Sequence, residues 1–355
     1  MKSIKYICLF LFIIIHSQLD ASVSDSIKID KSKIFSYALN ADVYSALKFL
    51  DIPDSTLSET EKEFKTKFED RFKFSNDRSD YLINIEQQAQ PLLGVYCNYW
   101  RKALLKEKID YNKLIKSTLT EFLYNNFNPD GKINFQSSDD EIDSVLKLYI
   151  TSLGYMTTGF GKTGSLYDLL IWKNQTDTIY NFNIYGDTVN VNVTFMDNFI
   201  TLGWEEYATL GVYYPGGWAD DKGLYCVRKA YDLQSENFLI SYLAHEGRHF
   251  KDYKIFPDLK GNELEYRAKL TELSLAKETL FNTIQFFINN GIKGSVSPHT
   301  YANYKVISDL SKEFFKVEFE TDMDKWETLS TDDINLMSHK LFVKNTDELK
   351  KNSKD

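Results

Sequence analysis

The sequence is poor in cysteine and histidine, the residues that most often hold zinc in proteins. Its 355 residues include 3 cysteines and 5 histidines. Cys8 lies in the first apolar stretch, which leaves Cys97 and Cys226 for the folded protein. Their spacing gives no indication of a metal site, and they are predicted either to form a disulfide or to remain buried thiols.

Long apolar runs are absent after residue 21. An apolar stretch at the N-terminus covers Tyr6 to Ile15 and follows a basic start with Lys2 and Lys5. This pattern, with a small residue at Ala21, predicts a signal peptide over 1–21 and export to the periplasm or the extracellular space. No later stretch reaches the roughly 18 apolar residues that a membrane helix needs, so no membrane span is predicted.

Positive charge is in the minority. The formal net charge is −9 at pH 7, and removal of residues 1–21 takes away two lysines and one aspartate, which makes it −10. Nucleic acids and anionic lipids are negatively charged, so an acidic surface argues against both as partners.

Two of the histidines stand four positions apart in the segment 245–249, which reads His-Glu-Gly-Arg-His. The sequence from Ser235 to Tyr253 has the pattern of a helix, on which residues i and i+4 lie above one another. Both imidazoles can therefore reach one metal ion, with Glu246 beside its open position. The alternative is that the two rings share a partly buried face and only form hydrogen bonds.

A catalytic zinc has three protein ligands, so a following helix should supply the third. A helical pattern begins near Glu263 and is predicted to continue to Gly291. Its apolar stripe consists of Leu273, Ala276, Leu280, Ile284 and Phe287. Glu265 projects nearer this stripe than Glu263 or Glu272, which makes Glu265 the predicted third ligand. The alternative is an ordinary carboxylate that stabilises the first turn of the helix.

From His245 to Ala268 the sequence resembles the gluzincin zinc metallopeptidases, in which HExxH on one helix is completed by a glutamate from a following helix, often within Glu-x-x-Ala. The resemblance implies that His245 and His249 bind Zn²⁺ and that Glu265 completes the ligand set. Glu246 would be the general base in the hydrolysis of peptide bonds, so a peptide or protein substrate is the expected partner.

Two positions depart from the family pattern. Lys269 stands where thermolysin-like members have an aspartate that orients a zinc-bound histidine, and Arg248 is charged where the motif usually has an uncharged residue. The orienting carboxylate must therefore lie elsewhere, and Glu272 and Asp252 are the two candidates.

A further donor usually stabilises the negative oxygen that develops during peptide hydrolysis. The candidates after the second helix are His299, Tyr301 and Tyr304. Each of them has the alternative role of an ordinary surface or packing group, since the chain contains 23 tyrosines.

The predicted fold class is α+β. Residues 22–160 carry helical patterns throughout and are expected to form an all-helical N-terminal region. Residues 161–343 are expected to form a zincin-like domain, with an antiparallel or mixed sheet, the two metal-binding helices and C-terminal helices. Hairpins are predicted over 180–195 and 211–228, and the polar residues 344–355 are predicted to be a disordered tail.

Two functions remain open on the sequence alone. The first is a secreted zinc peptidase in which Glu246 activates the attacking water. The second is an exported binding or scaffold protein whose zincin-like domain is catalytically inactive. The intact His-Glu-His set favours the peptidase, because an inactive domain has no chemical need for Glu246. The sequence indicates neither a particular substrate nor an oligomeric state.

Overall fold

The computed structural model describes residues 28–73, 80–83, 85–184, 187–220, 222–295 and 297–352. These residues form two compact units. The N-terminal unit contains 28–176 and 196–216, and the C-terminal unit contains 177–195 and 217–352. The predicted signal peptide, 1–21, lies outside the described residues.

The N-terminal unit is mainly helical. Its helices are α1 (Lys31–Leu39), α2 (Val43–Lys48), α3 (Glu59–Lys73), α4 (Asp80–Ile83), α5 (Gln90–Leu104), α6 (Tyr111–Asn126), α7 (Asp139–Ser152) and α8 (Trp204–Ala208). Tyr207 of α8 packs against Phe72 of α3 and Trp100 of α5, with ring centroids 5.6 Å apart in both pairs. The unit therefore extends past the predicted helical region, because the core of that region is completed by residues beyond 160.

The strands carry the alternating pattern seen in the sequence. They are β1 (Met156–Thr157), β2 (Gly161–Thr163), β3 (Leu166–Asp168), β4 (Leu170–Ile184), β5 (Asp187–Leu202), β6 (Gly217–Ala219) and β7 (Leu224–Val227). In the N-terminal unit β1 pairs antiparallel with the start of β4, and β2 pairs with β3. In the C-terminal unit β5 neighbours β4 and β7, and β7 pairs antiparallel with β6. The mixed α+β class is confirmed. The strands of the first predicted hairpin, β4 and β5, are neighbours, and its turn residues 185–186 lie outside the described residues. The second hairpin is shorter than predicted, because its first strand begins at Gly217 and not at Gly211.

The C-terminal unit places its helices in two apolar clusters. A π-helical segment, Asn237–Ala244, leads into α9 (His245–Ile255), followed by α10 (Gly261–Leu275), α11 (Leu280–Asn290), α12 (Pro298–Phe314), α13 (Met323–Trp326) and α14 (Thr331–Asn352). The π-helical segment packs on the sheet through Phe238, whose ring lies 5.8 Å from that of Phe195. The later helices enclose a second cluster that includes Leu273, Ile284 and Trp326.

The prediction of one continuous helix from Glu263 to Gly291 is wrong, because the chain forms two helices there. α10 ends at Leu275, and α11 starts at Leu280. The Glu236 carboxylate accepts hydrogen bonds from the backbone N–H groups of Lys277 and Thr279, each at 3.0 Å. A continuous helix would direct these N–H groups to its own carbonyls, so Glu236 stabilises the break.

The tail predicted to be disordered over 344–355 is also corrected. α14 continues through these positions to Asn352, the last described residue. Its apolar side packs through buried Phe342, and Arg267 of α10 donates hydrogen bonds to Asn345 and Thr346. The prediction rested on the polar composition of residues 344–355, which gives no information about such tertiary contacts. Within the described ranges, no helix is long and apolar enough to cross a membrane.

The two remaining cysteines follow one of the two predicted alternatives. Among the described residues, Cys97 and Cys226 are buried thiols, and no disulfide is formed. Cys97 lies in the apolar core of the N-terminal unit and Cys226 in that of the C-terminal unit. Both therefore contribute to packing as small apolar side chains.

Gly217→Ala is expected to destabilise the C-terminal unit. A Cβ at this position of β6 would lie 2.3 Å from the Tyr225 carbonyl oxygen and 2.6 Å from the Tyr242 ring. Backbone cannot move away easily, so we expect a loss of about 1–3 kcal/mol in the free energy of unfolding measured by urea denaturation. The control is Gly161→Ala in β2, where a Cβ meets no atom within 4 Å. Equal stability of the two variants would contradict this packing.

Two buried carboxyl groups give the N-terminal unit a pH dependence. Burial raises the pKa of Asp168 to about 6, although its carboxylate accepts hydrogen bonds from the N–H groups of Leu169 and Trp204. Burial and the charge of Asp168 raise the pKa of Glu205 to about 8 from 4.5. The unfolded chain therefore loses the Glu205 proton at lower pH than the folded chain, which destabilises the fold as pH rises.

Glu205→Gln is expected to remove this loss. The wild type should lose about 1.4 kcal/mol per pH unit from this group between about pH 4.5 and 8. The variant should be more stable than the wild type at pH 8, with the difference vanishing near pH 4, in urea titrations at a series of pH values. Glu121→Gln, on the exposed face of α6, is the control. Parallel pH profiles for Glu205→Gln and wild type would contradict the expectation.

Candidate metal centre

The two histidines of the motif lie on one face of α9, as predicted. His245 is the first residue of α9, and His249 follows one turn later. Their ring centroids are 4.8 Å apart, and both side chains are fully buried. Gly247 between them leaves room for the sheet, since a Cβ there would lie 2.5 Å from the Phe182 ring.

Glu265 of α10 faces both histidines. Its Oε1 lies 3.3 Å from His249 Nε2, and its Oε2 lies 3.6 Å from His245 Nε2. Two ligand atoms that are each about 2.0–2.1 Å from one tetrahedral ion are about 3.3 Å apart. The ligand atoms of the three residues all lie within 4.8 Å of one another, so together they could hold a metal ion.

Most of these atoms lack other partners. His245 Nε2, His249 Nε2 and Glu265 Oε1 have no hydrogen bond to any described residue, whereas Glu265 Oε2 has a close contact outside the group, with His299 Nδ1 at 2.9 Å. Buried polar atoms without a partner are rare in folded proteins, and an unplaced ion is one of the standard reasons for them. The residues present therefore fit a bound metal ion.

The buried charges around these ligands also fit a divalent cation. Glu246, Glu265 and Glu272 are buried acids, and Lys269 Nζ lies 4.0 Å from Glu265 Oε2. With Asp252 there are four buried acids, against three buried cations, Arg248, Arg267 and Lys269. A bound cation would offset this excess of negative charge, which is costly in an apolar interior.

Glu272 is the carboxylate that lies beside a histidine of the motif. Its Oε2 is 3.3 Å from His245 Nδ1, which directs Nε2 of the same ring toward Glu265. Asp252, the other candidate, instead accepts hydrogen bonds from Arg267 and pairs with Arg248. Glu272 is therefore placed to orient the His245 ring, whereas Asp252 is shared by two arginines, Arg248 and Arg267.

The electrostatics separate the acids into two roles. Burial, together with the charges of Glu265 and Glu272, raises the pKa of Glu246 well above its usual range. Burial opposes ionisation of Glu265 too, but His299 and His249 outweigh it and hold the Glu265 pKa well below its usual range. Burial lowers the pKa of His245, which favours the neutral imidazole that a metal requires.

Of the three predicted oxyanion donors, His299 contacts the ligand set. Its Nδ1 lies 2.9 Å from Glu265 Oε2, and its side chain is 28% exposed. Tyr304 donates a hydrogen bond to Glu318 and stacks on Phe319, and Tyr301 lines a surface groove between α10, α12 and α14. These contacts do not involve the metal-binding group, and the role predicted for the two tyrosines stays a prediction.

One residue near the centre escaped the sequence analysis. The Tyr231 hydroxyl is buried and has no hydrogen-bond partner among the described residues. The Tyr231 ring packs on Tyr242, 5.1 Å between centroids, and the charges of Glu246 and Glu272 contribute to its raised pKa, after burial and Cys226. The sequence around Tyr231 contains no metal-binding pattern. Its place near the two acids is therefore visible only in the tertiary structure.

Comparisons of the chain with protein-family models, with curated proteins and with solved structures found no match. Function is therefore inferred from the chemistry of these residues.

Glu265→Gln is expected to abolish tight metal binding. The amide keeps the shape of the side chain but removes the negative charge and one oxygen ligand. Loss of a residue that only supports the ligands already lowers metal affinity about 10- to 100-fold, so loss of a ligand should cost at least as much. Zn²⁺ should raise the melting temperature of the wild type and not that of the variant in differential scanning calorimetry. Glu263→Gln, an exposed position on the same helix, is the control and should behave as wild type. Retention of the zinc effect in Glu265→Gln would exclude this ligand set.

Proposed function

We propose that this chain is an exported zinc metallopeptidase of the gluzincin type, built on a zincin-like C-terminal unit. The observation that carries the proposal is the position of Glu246. Glu246 follows His245 in the chain, is 1% exposed and interacts electrostatically with Glu265 and Glu272, and its Oε2 has no hydrogen-bond partner among the described residues. A metal site that only stabilises the fold has no need for an additional unpartnered acid.

The donor set suits zinc and hydrolysis. Two imidazoles and one carboxylate are a ligand set of catalytic zinc sites, which retain a fourth position for water. Zinc bound there would lower the pKa of that water to about 7 and polarise the carbonyl of the substrate. His245, His249 and Glu265 would hold the ion, and Glu272 would keep the His245 ring in its binding orientation.

Glu246 would move the proton. A cation bound beside Glu246 would favour the ionised form of its carboxyl, which can accept a proton from the attacking water. The protonated carboxyl can then donate to the nitrogen of the leaving amine. His299 is the predicted donor to the negative oxygen of the carbonyl, and its contact with Glu265 keeps it beside the ligand set.

A second function is favoured by the burial of the site. The side chains of His245, Glu246 and Glu265 are no more than 1% exposed, and a peptide bond has to come within about 3 Å of the base before it can react. This closed arrangement favours an exported binding or scaffold protein in which the metal only holds the helices together. Hydrolysis by the purified protein distinguishes the two functions.

Glu246→Gln is expected to separate binding from turnover. The amide has the shape of the carboxyl but cannot accept a proton, so hydrolysis should fall by about 10²- to 10⁴-fold while the zinc content stays at that of wild type. The assay is mass spectrometry of a peptide library incubated with the zinc-loaded protein, with metal content measured in parallel.

Glu263→Gln is the matched control for this assay and should cleave as the wild type does. Cleavage by Glu246→Gln at the wild-type rate would contradict the role of Glu246. A wild-type protein that holds zinc but leaves every peptide intact would favour the binding or scaffold function.

A further inference from the structure

A buried ionic network joins α9 and α10, the two helices that carry the metal-binding group. Arg267 of α10 donates two hydrogen bonds to Asp252 of α9, from Nε to Oδ2 at 2.7 Å and from Nη2 to Oδ1 at 3.1 Å. Arg248 Nη2 lies 2.8 Å from the same Asp252 carboxylate. All three side chains are at most 1% exposed. A planar guanidinium bound at two points fixes the orientation of its partner as well as the distance.

The remaining nitrogen of Arg267 holds the last helix. Nη1 donates to Asn345 Oδ1 at 3.0 Å and to Thr346 Oγ1 at 2.8 Å, both on α14. The Phe342 ring of α14 lies 4.3 Å from the Arg267 guanidinium and 5.3 Å from that of Arg248. One guanidinium therefore connects α9, α10 and α14.

The positions of these residues connect the network to the metal ligands. Arg267 is two residues after Glu265 on α10, and Asp252 is three residues after His249 on α9. A pair held at two points in the interior leaves the two helices little freedom to slide or to separate. The distance between His249 and Glu265 is therefore set jointly with the bonds between Arg267 and Asp252.

We propose that Arg267 is the positioning residue of the metal centre and that α14, through Asn345 and Thr346, is part of that centre. This inference rests on the proposed function only for the presence of the metal, not for hydrolysis. Without the contacts from α14, the guanidinium can turn away from Asp252, and the ligands on α9 and α10 lose their fixed separation. Metal affinity then falls although every ligand is still present.

The test measures zinc affinity by competition with a chromophoric chelator in the full chain. Arg267→Lys keeps the charge but cannot bind Asp252 and α14 at once, so we expect a dissociation constant about 100-fold higher than that of wild type. The double variant Asn345→Ala with Thr346→Ala should raise it about tenfold. The matched control is Arg71→Lys in the N-terminal unit, where another buried arginine bonds the Tyr207 carbonyl oxygen. This control should lower stability and leave zinc affinity unchanged.

Hydrogen exchange of the backbone amides of 245–255, recorded without metal, gives a second readout. Faster exchange there in Arg267→Lys and in the double variant, together with weaker zinc binding, supports the proposal. Wild-type zinc affinity in both variants overturns it, whatever their stability, because the residues would then act only in folding. A wild type that binds zinc but cleaves no peptide removes the proposed hydrolysis and leaves this test intact. A wild type that binds no zinc overturns both.

Discussion

The C-terminal unit depends on one constraint, the burial of several carboxylates next to two imidazoles. Glu265 meets this constraint in part through His249 and His299, at 3.3 and 2.9 Å, and through the more distant Lys269. His245 Nε2, His249 Nε2 and Glu265 Oε1 still have no hydrogen-bond partner among the described residues. A divalent cation would bind these lone pairs and offset buried negative charge at the same time, which no neutral side chain can do.

The fold keeps these groups together with elements that lie on both sides of the motif in the chain. Glu236 ends α10 by binding the amides after it, so α11 can turn back and cover the apolar side of α10. Arg267 joins α9 and α10 to the last helix. The apolar clusters supply the bulk of the folding free energy, and the few buried ionic contacts select which faces of the helices meet.

The same burial controls access to the centre. Burial, reinforced by the charges of Glu265 and Glu272, raises the pKa of Glu246. The ligands themselves are closed to solvent, whereas the neighbouring His299 side chain is 28% exposed. A peptidase needs this side of the centre to open during each turnover, whereas a binding or scaffold protein does not.

Local patterns were enough for the sequence to determine the helix with two histidines on one face, the alternating hairpins and the choice of Glu265 over Glu263, because each depends on residues within a few turns or strands. Three features were decided by the tertiary structure alone. They are the break between α10 and α11, the position of Glu272 rather than Asp252 beside His245, and the helical conformation of residues 344–352. Glu236 acts 41 positions away, and Arg267 reaches Asn345 over 78. Contacts at such separations arise only when the chain has folded, since no local periodicity records them.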